Sequence, residues 1–267
     1  MKKFENKNII KASILITNYN KSKYLKKCLS SCNNQTYERK EIFIFDDCST
    51  DNSLKIIKSF KKIKIFKNRS KKYTSGPLNQ IYGLKTIFKK SKGDIIFLMD
   101  GDDYFSKNKL SIIIKKFIKN VHLNFVQDTP KFLKGSKIVN IKKKRSFFTI
   151  WPKFYPTSCI SMRRIFFSSF LKYDINNKFS NLEIDARISI YAYLKNEFLI
   201  CNNKLTNYQY DSLGITSRYG KFSKMWWKKR KDAFAYTEYL SKKLNKKFKK
   251  GPDYYLTILI NSFFSKF

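Results

Sequence analysis

The sequence predicts an α/β fold: a mostly parallel sheet flanked by helices, followed by a helical extension. Three observations carry this. Up to Met99, short apolar runs of strand length alternate with amphipathic runs of helical period across short connections, the pattern of parallel strands joined by crossover helices. Three of those strand runs end in clusters of polar or acidic residues, at the sheet edge where open parallel sheets bind ligands. Beyond residue 216 the chain turns basic and aromatic with helical spacing, and no Gly/Ser linker or internal repeat divides it.

Ala12 to Thr17 reads as the first strand. Lys21 to Cys32 then sets Tyr24, Leu25, Cys28, Leu29 and Cys32 on one helical face. Glu41 to Phe45 is a second strand, and Asp51 or Ser53 opens a helix to about Phe60. A third strand covers Ile63 to Phe66; Pro77 suits the first turn of a helix through Lys89. Ile95 to Met99 is the fourth strand, followed by an amphipathic helix from Ser106 to Lys119. Later segments are less regular. Leu123 to Gln127 and Ile138 to Ile141 read as strands, Phe147 to Met162 as an aromatic loop and strand, Leu182 to Leu194 as a helix, and Phe222 to Phe248 as one or two basic helices.

At 267 residues, with 42% hydrophobic and 17% aromatic content, the chain has ample core material, which excludes disorder. Five cysteines without a CxxC pair fit a reducing compartment and small buried side chains. The charged start Met1-Lys2-Lys3-Phe4-Glu5-Asn6 is unlike a signal peptide, and no run reaches the roughly 18 apolar residues of a membrane span. The expectation is a cytoplasmic protein, soluble or peripheral on the inner face of a membrane. A net charge of +38 raises nucleic acid or an anionic membrane as partner. The lysines are dispersed rather than striped, however, and accompany abundant Ile, Asn, Phe and Tyr, as an AT-rich coding genome would produce.

The chemistry concentrates at three strand ends: Thr17-Asn18-Tyr19-Asn20, Asp46-Asp47-Cys48-Ser49-Thr50-Asp51 and Asp100-Gly101-Asp102-Asp103. Carboxylates are almost never buried unpaired, so the last cluster reads as a hard-cation or ribose site, and oxygen ligands favour Mg²⁺ or Mn²⁺ over Zn²⁺. A plain helix start is the bland alternative, since acids suit a helix N-terminus. Together the three ends offer an aromatic ring for a base, a carboxylate for base or ribose, and a cation for a diphosphate. The Gly-rich loops that cradle phosphates are absent, as neither GxGxxG nor GxxxxGK[ST] occurs. His122, the single histidine, reads as a structural residue.

In sequence and spacing, Ser13 to Asn20, Phe45 to Asp51, Gly76 with Asn79, and Gly93 to Asp103 resemble family 2 glycosyltransferases of the GT-A (Rossmann-like) fold, specifically over residues 12 to about 119. The resemblance implies an inverting, metal-dependent transferase using a nucleotide diphosphate sugar, UDP-linked by preference, and a glycan or lipid-linked acceptor in surface polysaccharide synthesis. Thr17 and Tyr19 would line the base pocket, and Asp47 with Asp46 would read the base. Asn79 and Asp100 would also contact the nucleotide, Asp102 would hold ribose or metal, and Asp103 would ligate Mn²⁺ or Mg²⁺. Asn181 to Arg187 matches the position of the catalytic carboxylate, with Asp185 the general base and Glu183 second. Residues 1–119 would form the donor half, 120–215 the acceptor half and 216–267 a basic aromatic extension. That extension, with Trp226 and Trp227, could meet an anionic membrane. Trp226-Trp227-Lys228-Lys229-Arg230 departs from the QxxRW of processive synthases, and Cys48 stands where Gly or Asn is usual. A glycoside hydrolase with paired carboxylates and a basic nucleic-acid-binding protein are the competing readings. The acidic strand ends would repel nucleic acid.

Overall fold

The computed structural model describes residues 10–135, 137–139, 152–174, 178–210 and 220–265. In chain order the elements are β1 (Ala12–Asn18), α1 (Ser22–Asn33), β2 (Lys40–Asp46), α2 (Ser53–Lys58), β3 (Ile63–Lys67), α3 (Gly76–Lys90), β4 (Ile95–Asp100), β5 (Tyr104–Phe105) and α4 (Lys109–Lys119). They continue with β6 (Phe125–Lys134), β7 (Lys137–Val139), a 3-10 turn at Thr157–Cys159, β8 (Ile160–Arg163), α5 (Arg164–Tyr173), α6 (Ile184–Leu194), β9 (Phe198–Gln209), α7 (Lys224–Lys243) and α8 (Pro252–Phe264).

One sheet runs in the order β3-β2-β1-β4-β8-β6-β9-β5, with β7 on β6. The four strands from β3 to β4 are all parallel, and β8 enters antiparallel beside β4. Alternation along the strands divides the core between two faces. Leu15, Phe43, Phe45 and Leu98 pack with α3, α5 and α6 on one side. Ile14, Ile16, Ile42, Ile44, Phe97 and Met99 pack with α1 and α4 on the other. The α/β fold and its first four strands follow the sequence pattern: β1, β2 and β4 are buried almost throughout, while β3 at the sheet edge is mostly exposed.

Other elements differ from the pattern. The helix expected from Ser106 starts at Lys109, because Tyr104 and Phe105 pair with Asn207 and Thr206, and the Ser106 N–H donates to the Leu205 carbonyl. The helix α5 and the long strand β9 have no counterpart in the sequence reading. The strand expected at Ile138 to Ile141 is seen through Val139, and residues 140 and 141, like 147–151, lie outside the described residues. The basic segment after Phe222 is a single helix, α7, whose start is capped by Ser223 Oγ accepting from the Trp226 N–H at 3.2 Å. Trp227, Phe234, Tyr236 and Leu240 are buried, so these members of the aromatic set pack inward, while Phe222 is 68% exposed. No helix among the described residues is long and apolar enough to cross a membrane.

Candidate active site

The strand register builds the site. Asn18 lies opposite Asp46 and Thr17 opposite Asp100, so the ends of β2, β1 and β4 stand side by side. Their polar side chains are tied to one another. Asp46 is fully buried and accepts from Asn18 Nδ2 at 2.7 Å, Ser49 Oγ at 2.7 Å and the Ser49 N–H at 3.0 Å. The two loops that follow β1 and β2 are stitched together. The Asn20 N–H donates to Ser49 Oγ at 2.9 Å, and the Thr50 N–H to Asn20 Oδ1 at 2.8 Å. Asn20 (φ 52°) and Cys48 (φ 60°) both adopt left-handed backbone, uncommon for a residue such as Cys. Asp51 accepts from the Ser22 and Ser53 N–H groups at the starts of α1 and α2.

Between these ends, Tyr19 is 40% exposed with the Lys71 ammonium 3.8 Å from its ring centre, and Asp47 accepts from Asn68 Nδ2 at 3.0 Å. Thr17 sits deeper, 3.4 Å from Asp100 Oδ1, and Gln80 Nε2 donates to the same carboxylate oxygen at 2.7 Å. Gly101 leaves room for Asn18, since a Cβ there would lie 2.5 Å from Asn18 Oδ1 and the amide would have to shift.

The acid cluster resolves into different roles. Asp102 is partly exposed and pairs with Lys21, Nζ to Oδ2 2.5 Å. Burial pushes the Asp100 carboxyl up to about 7, aided by the charges of Asp102 and Asp185 and opposed by Lys21 and a hydrogen bond from Thr157. Asp185, in the first turn of α6, is therefore close enough to act on the end of β4. Tyr208 of β9 joins them: burial first, then Asp103, Asp102, Asp100 and Asp185, push its phenol far above the ordinary range. It stays a neutral hydroxyl in the field of four carboxylates.

Four residues expected at the ligand have partners within the chain. Asp103, expected as the cation ligand, is sealed from solvent and accepts the Gln209 N–H at 2.8 Å, so it ties the turn after β4 to β9. Asp46 is consumed by the rim network just described. Asn79 is buried and clamps the backbone of Tyr73, accepting its N–H at 2.8 Å and donating to its carbonyl at 2.9 Å. Glu183 precedes α6, buried and paired with Lys229. Burial raises its carboxyl and Lys229 opposes the rise.

α6 itself is held by Arg187, whose buried guanidinium pairs with Asp174 at 2.9 Å and donates to the carbonyls of Leu182, Lys178 and Phe179. Behind the β4 end lies a fully buried ion pair, Lys109 to Asp128 at 2.6 Å. Lys109 Nζ also donates to the Ser158 carbonyl, and Ser158 Oγ accepts the Asp100 N–H at 3.0 Å. Gln80, Lys21, Tyr208 and the Lys109 pair were not expected from sequence. The lysines are lost among so many others, and Tyr208 arrives on a strand the pattern did not reveal.

A family model described as glycosyl transferase family 2 matches residues 13–179, more than half of the chain. The chain belongs to glycosyltransferase family 2. This family 2 glycosyltransferase is 32% identical over 146 residues to a Haemophilus influenzae protein described as an uncharacterized glycosyltransferase, covering 52% of this chain and 56% of that one. It is 30% identical over 129 residues to the Escherichia coli UDP-Glc:alpha-D-GlcNAc-diphosphoundecaprenol beta-1,3-glucosyltransferase WfgD, covering 48% of each. The chain thus spans about half the length of these relatives. Among solved structures, Staphylococcus aureus TarS 1-349 in complex with UDP superposes with a TM-score of 0.60 at 16% identity, over 85% of this chain and 65% of that one, a likeness of fold. The GT-A architecture of this family 2 glycosyltransferase agrees with that expected from its motifs.

Proposed function

We propose that the protein transfers a sugar, with inversion, from a nucleoside diphosphate sugar, UDP-linked by preference, to a hydroxyl of a glycan or lipid-linked acceptor in cell-surface polysaccharide synthesis. The observation that carries this reading is the convergence of Tyr19, Asp47, Asp100, Asp102 and Asp185 on the ends of parallel strands and the adjacent helix start. The acceptor class is supported by the name of the E. coli relative, which acts on a diphosphoundecaprenol-linked sugar.

In this reading the exposed Tyr19 ring stacks on the base, and Asp47, oriented by Asn68, accepts from a base N–H. Among the described residues no group of three or more carboxylate, Cys or His side chains is arranged to hold a metal by itself. The oxygen donors Asp100 and Asp102 nevertheless fit Mg²⁺ or Mn²⁺, which are commonly bound by one or two carboxylates plus substrate phosphates. The upward push on Asp100, from burial first and then from its acidic neighbours, has the sign that a bound cation would oppose. When bound, it supplies positive charge opposite the diphosphate. Asp185 takes the proton of the acceptor hydroxyl, Tyr208 offers a neutral hydroxyl donor beside it, and Arg187 fixes the helix carrying the base. Glu183, held by Lys229, supports α6 rather than the reaction.

A thermal-shift screen of nucleotide sugars with and without Mn²⁺ tests the proposal. Stabilisation by a nucleoside diphosphate sugar that grows with Mn²⁺ is expected. Equal indifference to every nucleotide sugar would overturn it.

A further inference from the structure

The last helix, α8, is built inside out. Its inward side is the polar one: Thr257 and Asn261 are buried, Asn261 Nδ2 donates to the Trp227 carbonyl at 2.9 Å, and Asp253 pairs with Arg230 of α7. Its outward side carries Tyr255, Leu256, Ile258, Leu259 and Phe263, with Leu259 68% and Phe263 60% exposed. The spacings 255–259–263, 255–258 and 256–259 place them on one side of the helix, and no exposed residue of the described helix is charged. A surface helix usually presents the reverse arrangement, and a contiguous exposed apolar face marks an interaction site.

Charge selects the occupant. The exposed lysines Lys246, Lys247, Lys249 and Lys250 lead into the start of α8, with Lys250 Nζ 5.2 Å from the Tyr254 ring centre. At the other end the exposed Lys224 lies 6.0 Å from the Phe264 ring centre. An uncharged apolar stripe between clusters of lysine matches the interface of an anionic bilayer, where acyl chains take the apolar face and lipid phosphates the lysines. A second copy of this chain would set the same lysines against themselves.

We propose that α8 docks the protein on anionic membrane by its outward face. The docking is independent of the transferase reading, on which depends only the further point that a lipid-linked acceptor would be met there.

Co-sedimentation of the full chain with phosphatidylcholine vesicles, with and without about 30% phosphatidylglycerol, tests this. Binding to the anionic vesicles, weakened by salt, is expected. Leu259→Glu with Phe263→Glu should lower the bound fraction about tenfold while thermal unfolding and UDP binding stay unchanged. Lys247→Gln with Lys249→Gln and Lys250→Gln should remove most of the preference for anionic lipid. Full chain that stays in the supernatant at low salt overturns the proposal, as does undiminished binding of the double Glu variant. A lipid-free dimer that this variant dissolves, with no vesicle binding, assigns the face to a second copy instead. Loss of nucleotide-sugar binding with vesicle binding retained would count against the transferase reading alone.

Discussion

Lys21 and Asp102 meet at 2.5 Å across the end of β4, an ammonium answering a carboxylate whose neighbours Asp100 and Asp103 are also acids. The pair marks Asp102 as the carboxylate of the cluster that a mobile cation can reach, and a divalent ion bound there competes with the lysine. Lys21→Gln is expected to strengthen Mn²⁺ binding measured by calorimetry without nucleotide. Weaker binding would mean that Lys21 supports the ion site.

Asp102 and Asp103 should separate cleanly on substitution. Asp102→Asn is expected to remove the Mn²⁺-dependent part of nucleotide affinity with little change in unfolding temperature. Asp103→Ala leaves the buried Gln209 N–H without its acceptor and should cost about 1–3 kcal/mol of stability by denaturant unfolding. The opposite assignment of the two phenotypes would return the ion to Asp103.

Asp185→Asn is expected to keep nucleotide binding and to lower the transfer rate about 10²-fold or more, the ordinary value of general-base assistance. Glu183→Gln should act mainly on stability, because its partner is Lys229. Transfer at the normal rate by Asp185→Asn would place the base elsewhere.

The Lys109–Asp128 pair is enclosed on all sides. Breaking one half, as in Lys109→Met, strands a buried charge and is expected to cost about 3–5 kcal/mol. Lys109→Met with Asp128→Leu should recover most of that loss. Equal destabilisation by the single and double variants would deny the coupling.

Acid stability should depend on Glu41. Burial works to raise its carboxyl, but hydrogen bonds from the Lys11 ammonium, the Lys92 N–H and the Ser13 hydroxyl outweigh burial and hold it below the ordinary carboxylate range. The folded state therefore releases this proton more readily than the unfolded chain. Its contribution is full above about pH 4.3, the unfolded value, and is lost as pH falls through the lower folded value. Urea midpoints measured against pH should fall less steeply on the acid side for Glu41→Gln than for the parent chain.

The sequence revealed the sheet where burial was complete. β1, β2 and β4 are largely apolar runs that stop at polar clusters, so their identity and their shared edge could be read directly. β9 escaped because exposed Asn202, Asn203 and Lys204 interrupt it, and with it went Tyr208 and Gln209. That loss explains Asp103. Three acids at a strand end look alike in sequence, and which one is buried is decided by a partner 106 residues away. Asn79 was similarly ambiguous, since an amide near a site can serve a ligand or a loop, and only the position of Tyr73 chooses. Asp185 was singled out by the likeness of Asn181 to Arg187 to the family's motif, and the structure places it in the first turn of α6.

The left-handed turns at Asn20 and Cys48 are fastened to each other through Ser49 and Thr50 by hydrogen bonds within the chain. Under the proposed function the donor would therefore meet a rim whose order comes from the fold itself, a key entering a finished lock more than a hand closing. Little conformational entropy is left to lose on association. The heat capacity change of nucleotide binding should accordingly reflect the surface of the base and ring alone, with no added signature of a folding segment.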